Sequence, residues 1–537
     1  MRVEISRRKL ERLSSFKIRT LTLGVNVLDC SSHSFEEIRW RLKEKIVNIG
    51  SRFSKAVDEE AKSFANELEG IGIKFGGIQT KRIALSPISM ILAPAISRSI
   101  EEGLKFEEIA EEIVLTARTI DKAAAISGLD FIGGWTALVE GGMSSANWLF
   151  ISSIPEVLAE TQRLNSSIVV GSSRNGINSD ACMLASEVIV RAALSYTEVY
   201  SPRIERISAD GVERVIYPVK SPLPRLSIMV NAPYDNPFFS GGFHGPSMPD
   251  MALNVGMAGP GLLKQVIDET ISNKPGCSHD FIGLRIKHNV TIMASIAERL
   301  RVRICKRMEF EEYNGGVDLS LAPTFGEDSI AEILKSLGVG EVGAPGTLAA
   351  LFLVVNSVKK GGVSAVLNPA GLSGTFIPLT EDEGMSIALE KGSLDMGRYL
   401  AMTAVCNVGI DMYLRAWSRD VDPVLSEAPV GLKEEPLEVT KPRDEMIREL
   451  KAVVCGDILD ALSIGNTWEK PMSVRVILVP KIPKERVVGG KKYRVWVGLK
   501  GTTLFGAGPV MDLPRTIPSG FVRRNGRIPA PLTSMRG

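Results

Sequence analysis

Apolar positions along the chain follow two periods in turn. Residues 18–27 read IRTLTLGVNV, a β-rich run that ends in a turn-like stretch at 28–33. Ser34 and Glu37 then stand in the S-x-x-E spacing of a capping box. Beyond them Ile38, Leu42, Ile46, Ile49, Phe53, Val57, Ala61, Phe64 and Leu68 recur every three or four residues, which predicts one long helix with a single apolar stripe. Gly70, Ile71 and Gly72 stop it, and residues 75–86 predict the next strand. A strand, a helix and a strand in sequence make an α/β crossover unit.

The alternation continues through the chain. It predicts helices over 106–127, 155–164, 178–196, 260–273, 289–302, 329–337, 347–359 and 394–405, and strands over 167–171, 226–231, 317–322 and 363–367. An apolar, Gly-rich stretch at 130–140 begins as a strand. Residues 415–442 are charged, Pro-bearing and aperiodic, and 474–480 with 493–499 suggest a small antiparallel pair. The expected organisation is an α/β body over 1–415, a linker or excursion at 416–442, and a C-terminal segment, 443–537, whose β-pair packs back on the body. One large barrel-like body accommodates so many units best.

Composition narrows the function classes. With 537 residues, Lys+Arg 64 and Asp+Glu 62, the net charge of +2 gives no global reason for a polyanionic partner. The basic stretches Arg7-Arg8-Lys9 and Arg523-Arg524 lie near the termini and read as solvated, so no nucleic acid is expected. Six cysteines lie far apart with no C-x-x-C pair, which removes zinc ribbons and dithiol redox motifs. No apolar signal core and no run of 18 uncharged apolar residues occurs, so the expected setting is cytoplasmic, without a membrane. Three Gln among abundant Ile, Val, Glu and Arg suggest a thermophile.

Four segments join Gly to isolated polar residues after apolar strands, where α/β folds place ligands. In 172–180, Arg174 can grip a carboxylate or phosphate through its planar fork, and Asn178 and Asp180 stand at a helix start that favours an anion, or else simply cap that helix. In 239–261, His244 sits among glycines and prolines, as a general acid/base or as a structural loop His, and Gly259 belongs to a turn that resembles a phosphate cradle but lacks its spacing. Asp318, followed by Glu327 and Asp328, offers carboxylates at a strand end for a polar ligand or a divalent cation, with helix capping as the alternative for Asp328. No metal site is assigned. In 403–411, Cys406 and Asp411 are candidates for nucleophile and stabiliser, against a buried, inert Cys. Asp130 is a further candidate proton carrier. Cys277, His279 and Asp280 lack a second ligand pair and are set aside.

The collinear segments RTLTLGVNV, LDFIGGWTALVEGG, SIPEVLAET, NSSIVVGSSRNGINSDA, GGFHGPSMPDMALNVGMAGPG, VDLSLAPT, VGAPGTLAAL and AMTAVCNVGIDM resemble the UPF0210 (DUF711) family, often labelled "PFL family protein". The match spans roughly residues 16–415 and resumes at GAGPVMDLP and RIPAPLTSMRG. The resemblance implies a fold related to pyruvate formate-lyase, a ten-stranded α/β barrel surrounded by helices, usually as a homodimer. It implies no established reaction. The glycyl radical loop R-x-[SA]-G-Y is missing, since the chain has no Gly-Tyr dipeptide; its nearest stretch, Arg515–Phe521, has the wrong spacing and a Phe. Cys406 is followed by Asn407 rather than a second Cys, although by analogy of fold it could occupy the barrel's central loop. Residues near 305–313, 415–442 and 468–491 look like additional material.

The function expected is therefore a non-radical enzyme acting on a small anionic metabolite inside the barrel, with Arg174 orienting the anion and His244, Asp130, Cys406 and Asp411 acting on it. The competing reading is a regulatory protein that binds a metabolite without catalysis. The sequence names no cofactor.

Overall fold

Strand β1 (Phe16–Val25) alternates Leu21, Leu23 and Val25 with Thr20, Thr22 and Gly24, so one face is apolar and the other polar or small. That two-faced pattern suits a barrel with helices outside and a polar lumen. The protein is described by a computed structural model covering residues 16–531 apart from 240, 407, 432–434, 441, 501–505 and 519.

Four strands follow β1 in parallel register: β2 (Phe75–Leu85), β3 (Phe131–Leu138), β4 (Leu164–Ser172) and β5 (Leu226–Val230). The second half holds β6 (Met251–Ala258), β7 (Val317–Asp318), β8 (Gly409–Ala416) and β9 (Met472–Val479). β6 pairs antiparallel with β1 and parallel with β7, while β9 pairs antiparallel with β5 and parallel with β8. Residues 369–380 span the gap between β7 and β8. On one side the amides of Ala370 and Phe376 donate to Val317 O and Leu321 O; on the other those of Thr375, Leu379 and Thr380 donate to Cys406 O, Asp411 O and Met412 O. This irregular tenth strand closes the ring. The result is a ten-stranded α/β barrel of two parallel five-stranded halves, joined antiparallel at two seams.

The long first helix, Phe35–Gly70, carries the chain from β1 back to β2 over the outside of the barrel. Ser34 caps it by accepting from Glu37 N, and Ile38, Leu42, Ile46, Phe53, Val57, Phe64 and Leu68 are buried as the periodicity requires. Its outer side meets helix His279–Met308 through Glu60, which binds Arg303 and Arg307.

Three expectations are corrected. Residues 474–480 and 493–499 do not pair with each other: the first belongs to β9 in the barrel, the second to a separate sheet. In that sheet strand Lys491–Lys500 pairs with Glu213–Lys220, and the short strand Pro436–Leu437 adds an edge from within the 416–442 excursion. The C-terminal segment is thus part of the barrel itself rather than only packed on it. Residues 363–367 form a turn instead of a strand, because the closing strand begins a few residues later, where Val317 meets Pro369.

Candidate functional site

The connection between the two half-barrels, residues 231–250, runs through the lumen. Thr22 Oγ1 donates to Pro237 O (2.9 Å), Arg82 Nη1 to Phe238 O (2.8 Å) and Ser167 Oγ to Gly241 O (2.7 Å), and His244 N donates to Leu85 O (2.9 Å). Phe238 and Phe239 pack on Phe376 of the closing strand, and Asp235 accepts from Gly371 N. A segment touching β1, β2, β4 and the closing strand together can only lie inside the ring. The lumen's hydroxyl and guanidinium groups supply the donors that its buried carbonyls need. Contact is too close for side chains at two glycines. A Cβ on Gly133 would come within 2.1 Å of Gly242 O, and one on Gly241, at φ +76°, within 2.2 Å of Ser166 O.

At one mouth of the barrel this loop stops short and leaves a small cavity of about 40 Å³ that is partly open to solvent. Its floor is Phe238 and Phe376; its polar wall is Arg19, Arg82, Arg475, Asn165 and Glu381. The strands aim these groups. The first half contributes residues near its strand starts (Arg19 on β1, Asn165 on β4). The second half runs the other way and contributes Glu381 just after the closing strand and Arg475 on β9.

Three guanidiniums share this space, each held differently. Arg475 forms a two-pronged pair with Asp411 (Nη2–Oδ2 2.7 Å, with a second bond from Nε to Oδ1) and lies 3.6 Å from Glu381. Burial opposes its charge, but Asp411 and then Glu381 outweigh burial and raise its pKa. Arg82 lies over the Phe131 ring at 4.9 Å, and burial followed by the repulsion of Arg19 pushes its pKa down to about 9. Arg19 donates to Gln79 Oε1 (2.9 Å) and Thr324 Oγ1 (2.8 Å). Glu381 is raised: burial disfavours its charge, Arg475 opposes that, and Asp411 adds to it. The depressed Arg82 and crowded cations describe a cavity short of negative charge.

The structure separates the residues singled out from sequence. Asp411 and Asp130 adjoin the cavity, Asp411 as the partner of Arg475. Asp130 accepts from Lys81 N (2.8 Å) and acts electrostatically on Arg82. Arg174 does not line the cavity. It is exposed on the turn after β4, at the opposite end of the barrel from the arginine cluster. Asn178 caps helix Ser179–Tyr196, accepting from Ala181 N and donating to Val139 O, and Asp180 accepts from Gly526 N. Gly259 precedes helix Pro260–Asn273, whose first turn is already met by Asp328, which accepts from Gly261 N.

His244 is buried near the far end of the lumen, Nε2 against Pro249 O (2.6 Å), and burial lowers its pKa. Cys406 ends helix Met396–Cys406 and is not on the central loop, which carries no cysteine at all. Burial raises the Cys406 thiol, so it is held as the neutral, weakly nucleophilic form. Asp318 accepts from the amides of Ser320, Leu372 and Ser373, bracing the closing strand, and burial brings its pKa to about 6. Glu327 pairs with Lys17, and among the described residues no cluster of three or more His, Cys, Asp or Glu is arranged to hold a metal. No helix of the described residues is long and apolar enough to cross a membrane.

The family model described as "Uncharacterised ACR (DUF711)" matches residues 10–414. A UPF0210 protein of Lachnospira eligens is 33% identical over 98% of this chain and 97% of its own. UPF0210 proteins of Carboxydothermus hydrogenoformans (34%) and Methanocaldococcus jannaschii (33%) match over the same shares of both chains. Among solved structures, the anaerobic ribonucleotide reductase from Thermotoga maritima in complex with dATP and CTP is similar with a TM-score of 0.43 at 8% identity, over 91% of this chain and 80% of that one.

Proposed function

The chain belongs to the uncharacterised DUF711 family of UPF0210 proteins, and for it we propose an enzyme acting on a small anionic metabolite in the arginine cavity at the barrel mouth. The observation that carries this reading is the convergence of Arg19, Arg82 and Arg475 from three strands onto one partly open cavity with too little negative charge. A carboxylate or phosphate supplies that charge and accepts planar, two-pronged hydrogen bonds. Glu381 gives the site a proton carrier. Burial favours its neutral form, so it can donate to a bound anion and return as a carboxylate beside Arg475. Within this reading Arg19, Arg82 and Arg475 take the role first given to Arg174, and neither His244 nor Cys406 reaches the reacting atoms. Glycyl-type radical chemistry has no part in it, because the loop in the lumen offers no thiol.

Calorimetric titration of the full chain with inorganic phosphate and with malonate tests the binding half. Arg82→Gln and Arg19→Gln are each expected to weaken the tighter probe about ten- to a hundred-fold, the range for losing a hydrogen bond to a charged group. Unchanged affinity in both variants overturns the reading. Turnover is tested by incubation with a metabolite extract. Product formed by the wild type and lost in Glu381→Gln supports an enzyme, while a ligand that raises Tm and is recovered unchanged supports a regulatory binder.

A further inference from the structure

Asn165 enters the cavity wall from the start of β4 with its amide fixed in one orientation. Nδ2 donates to Arg163 O at 2.8 Å, which leaves Oδ1 as the group turned away from that bond. The residue is 4% exposed, and Oδ1 has no donor among the described residues. A buried acceptor without a donor is costly, and such groups in native proteins are generally met by another protein group, an ordered water or a bound ion or ligand. The guanidiniums around the cavity are donors directed at an anion. Asn165 Oδ1 asks for the opposite, a hydrogen offered by the ligand.

We propose that the ligand is a small carboxylate or phosphate ester that also bears a hydroxyl or amino group, and that Asn165 Oδ1 accepts from that group and sets specificity for it. The inference rests on the anion reading above and narrows it. A simple anion satisfies the arginines alone; a hydroxy or amino anion satisfies both halves of the wall. Sites built to hydrogen-bond a substrate hydroxyl reject the analogue that lacks it far more strongly than apolar pockets reject a missing methylene.

The test is a matched-pair titration of the full chain: malate and aspartate against succinate, and glycerol 3-phosphate against propyl phosphate. In the wild type, the hydroxy or amino member of at least one pair is expected to bind at least about ten-fold more tightly than its partner. Asn165→Leu, which has no acceptor, is expected to bring that pair within two-fold. Asn165→Asp, which keeps an acceptor oxygen at similar volume, is expected to retain the preference although both members bind more weakly to the added charge. It keeps the question open to refutation should the Leu variant fail to fold. Equal binding within every pair in the wild type overturns the inference and leaves the anion reading standing. Binding of no member at all removes both.

Discussion

Arg82 is costly where it stands. Burial and Arg19 both work against its charge, and Asp130 only partly offsets them. Side chains kept in such crowded positions commonly trade stability for function. Arg82→Gln, which still offers an N–H toward Phe238 O, is therefore expected to raise the Tm of the ligand-free protein while removing the stabilisation given by phosphate. A falling Tm with phosphate stabilisation intact would contradict this account of the residue. None of the three guanidiniums was picked out from sequence. Open α/β sheets bind ligands at strand ends, which points instead to polar residues in Gly-rich loops such as Arg174. In a closed barrel the strand faces themselves line the lumen. The signal was present in Val474-Arg475-Val476, a single charge inside an otherwise apolar strand, which is affordable only on an inward, polar face. Asp411 stands out in the sequence as a polar residue beside Cys406 and Gly409, while its partner lies 64 residues away and cannot be inferred from spacing.

Elements show a different balance. The first helix is legible in its Ser34 cap and in most of its stripe, because local periodicity and burial point the same way, while Ile49 and Ala61 stay partly exposed and Glu37 turns to Ser32 and Arg41 instead of closing the capping box. Its docking onto helix His279–Met308 was not legible, since charged residues on an outer face look alike whether solvated or paired. Burial pushes the pKa of Glu60 up, but Arg307 and Arg303 overcome this and lower it below its ordinary 4.5. A carboxylate lowered by folding adds stability that is present above its ordinary pKa and lost as pH falls through the folded one. Glu60→Gln is accordingly expected to lower stability by about 2 kcal/mol at pH 7, the scale of hydrogen bonds to charged groups. The gap between wild type and variant should shrink as pH falls below about 4.5 in urea titrations. A gap that widens on acidification would refute the pairing. The tenth strand was the other hidden element: residues 369–380 carry prolines and glycines and alternate poorly, because they hold their place through hydrogen bonds to two neighbours and the brace of Asp318 rather than through propensity.

At the scale of the whole molecule, the barrel's division into two antiparallel halves explains why the cavity has both strand starts and strand ends on its wall. It also explains why the chain cannot be cut where its composition changes. β9 sits between β5 and β8, so the C-terminal segment supplies a central stave of the ring and, with Arg475, a wall of the cavity. A fragment of residues 1–415 is expected not to unfold cooperatively; a fragment with the sharp thermal transition of the full chain would show that the ring does not depend on β9. The number and class of strands were expected from family resemblance, whereas the seams, the threaded loop and the cavity needed coordinates, being contacts between residues hundreds of positions apart. The same resemblance implies a homodimer, for which sedimentation should give twice the 58.2 kDa chain mass, whereas the single chain mass would contradict it.

The central claim is that the mouth of the barrel holds an anion among Arg19, Arg82 and Arg475. Anomalous diffraction from a crystal soaked in selenate, a phosphate-like anion with a strong absorption edge, addresses it without assuming a substrate or a reaction. The account predicts a selenium peak within hydrogen-bonding distance of at least two of those guanidiniums. Selenium only at exposed groups such as Arg174, with none in the cavity, would contradict it.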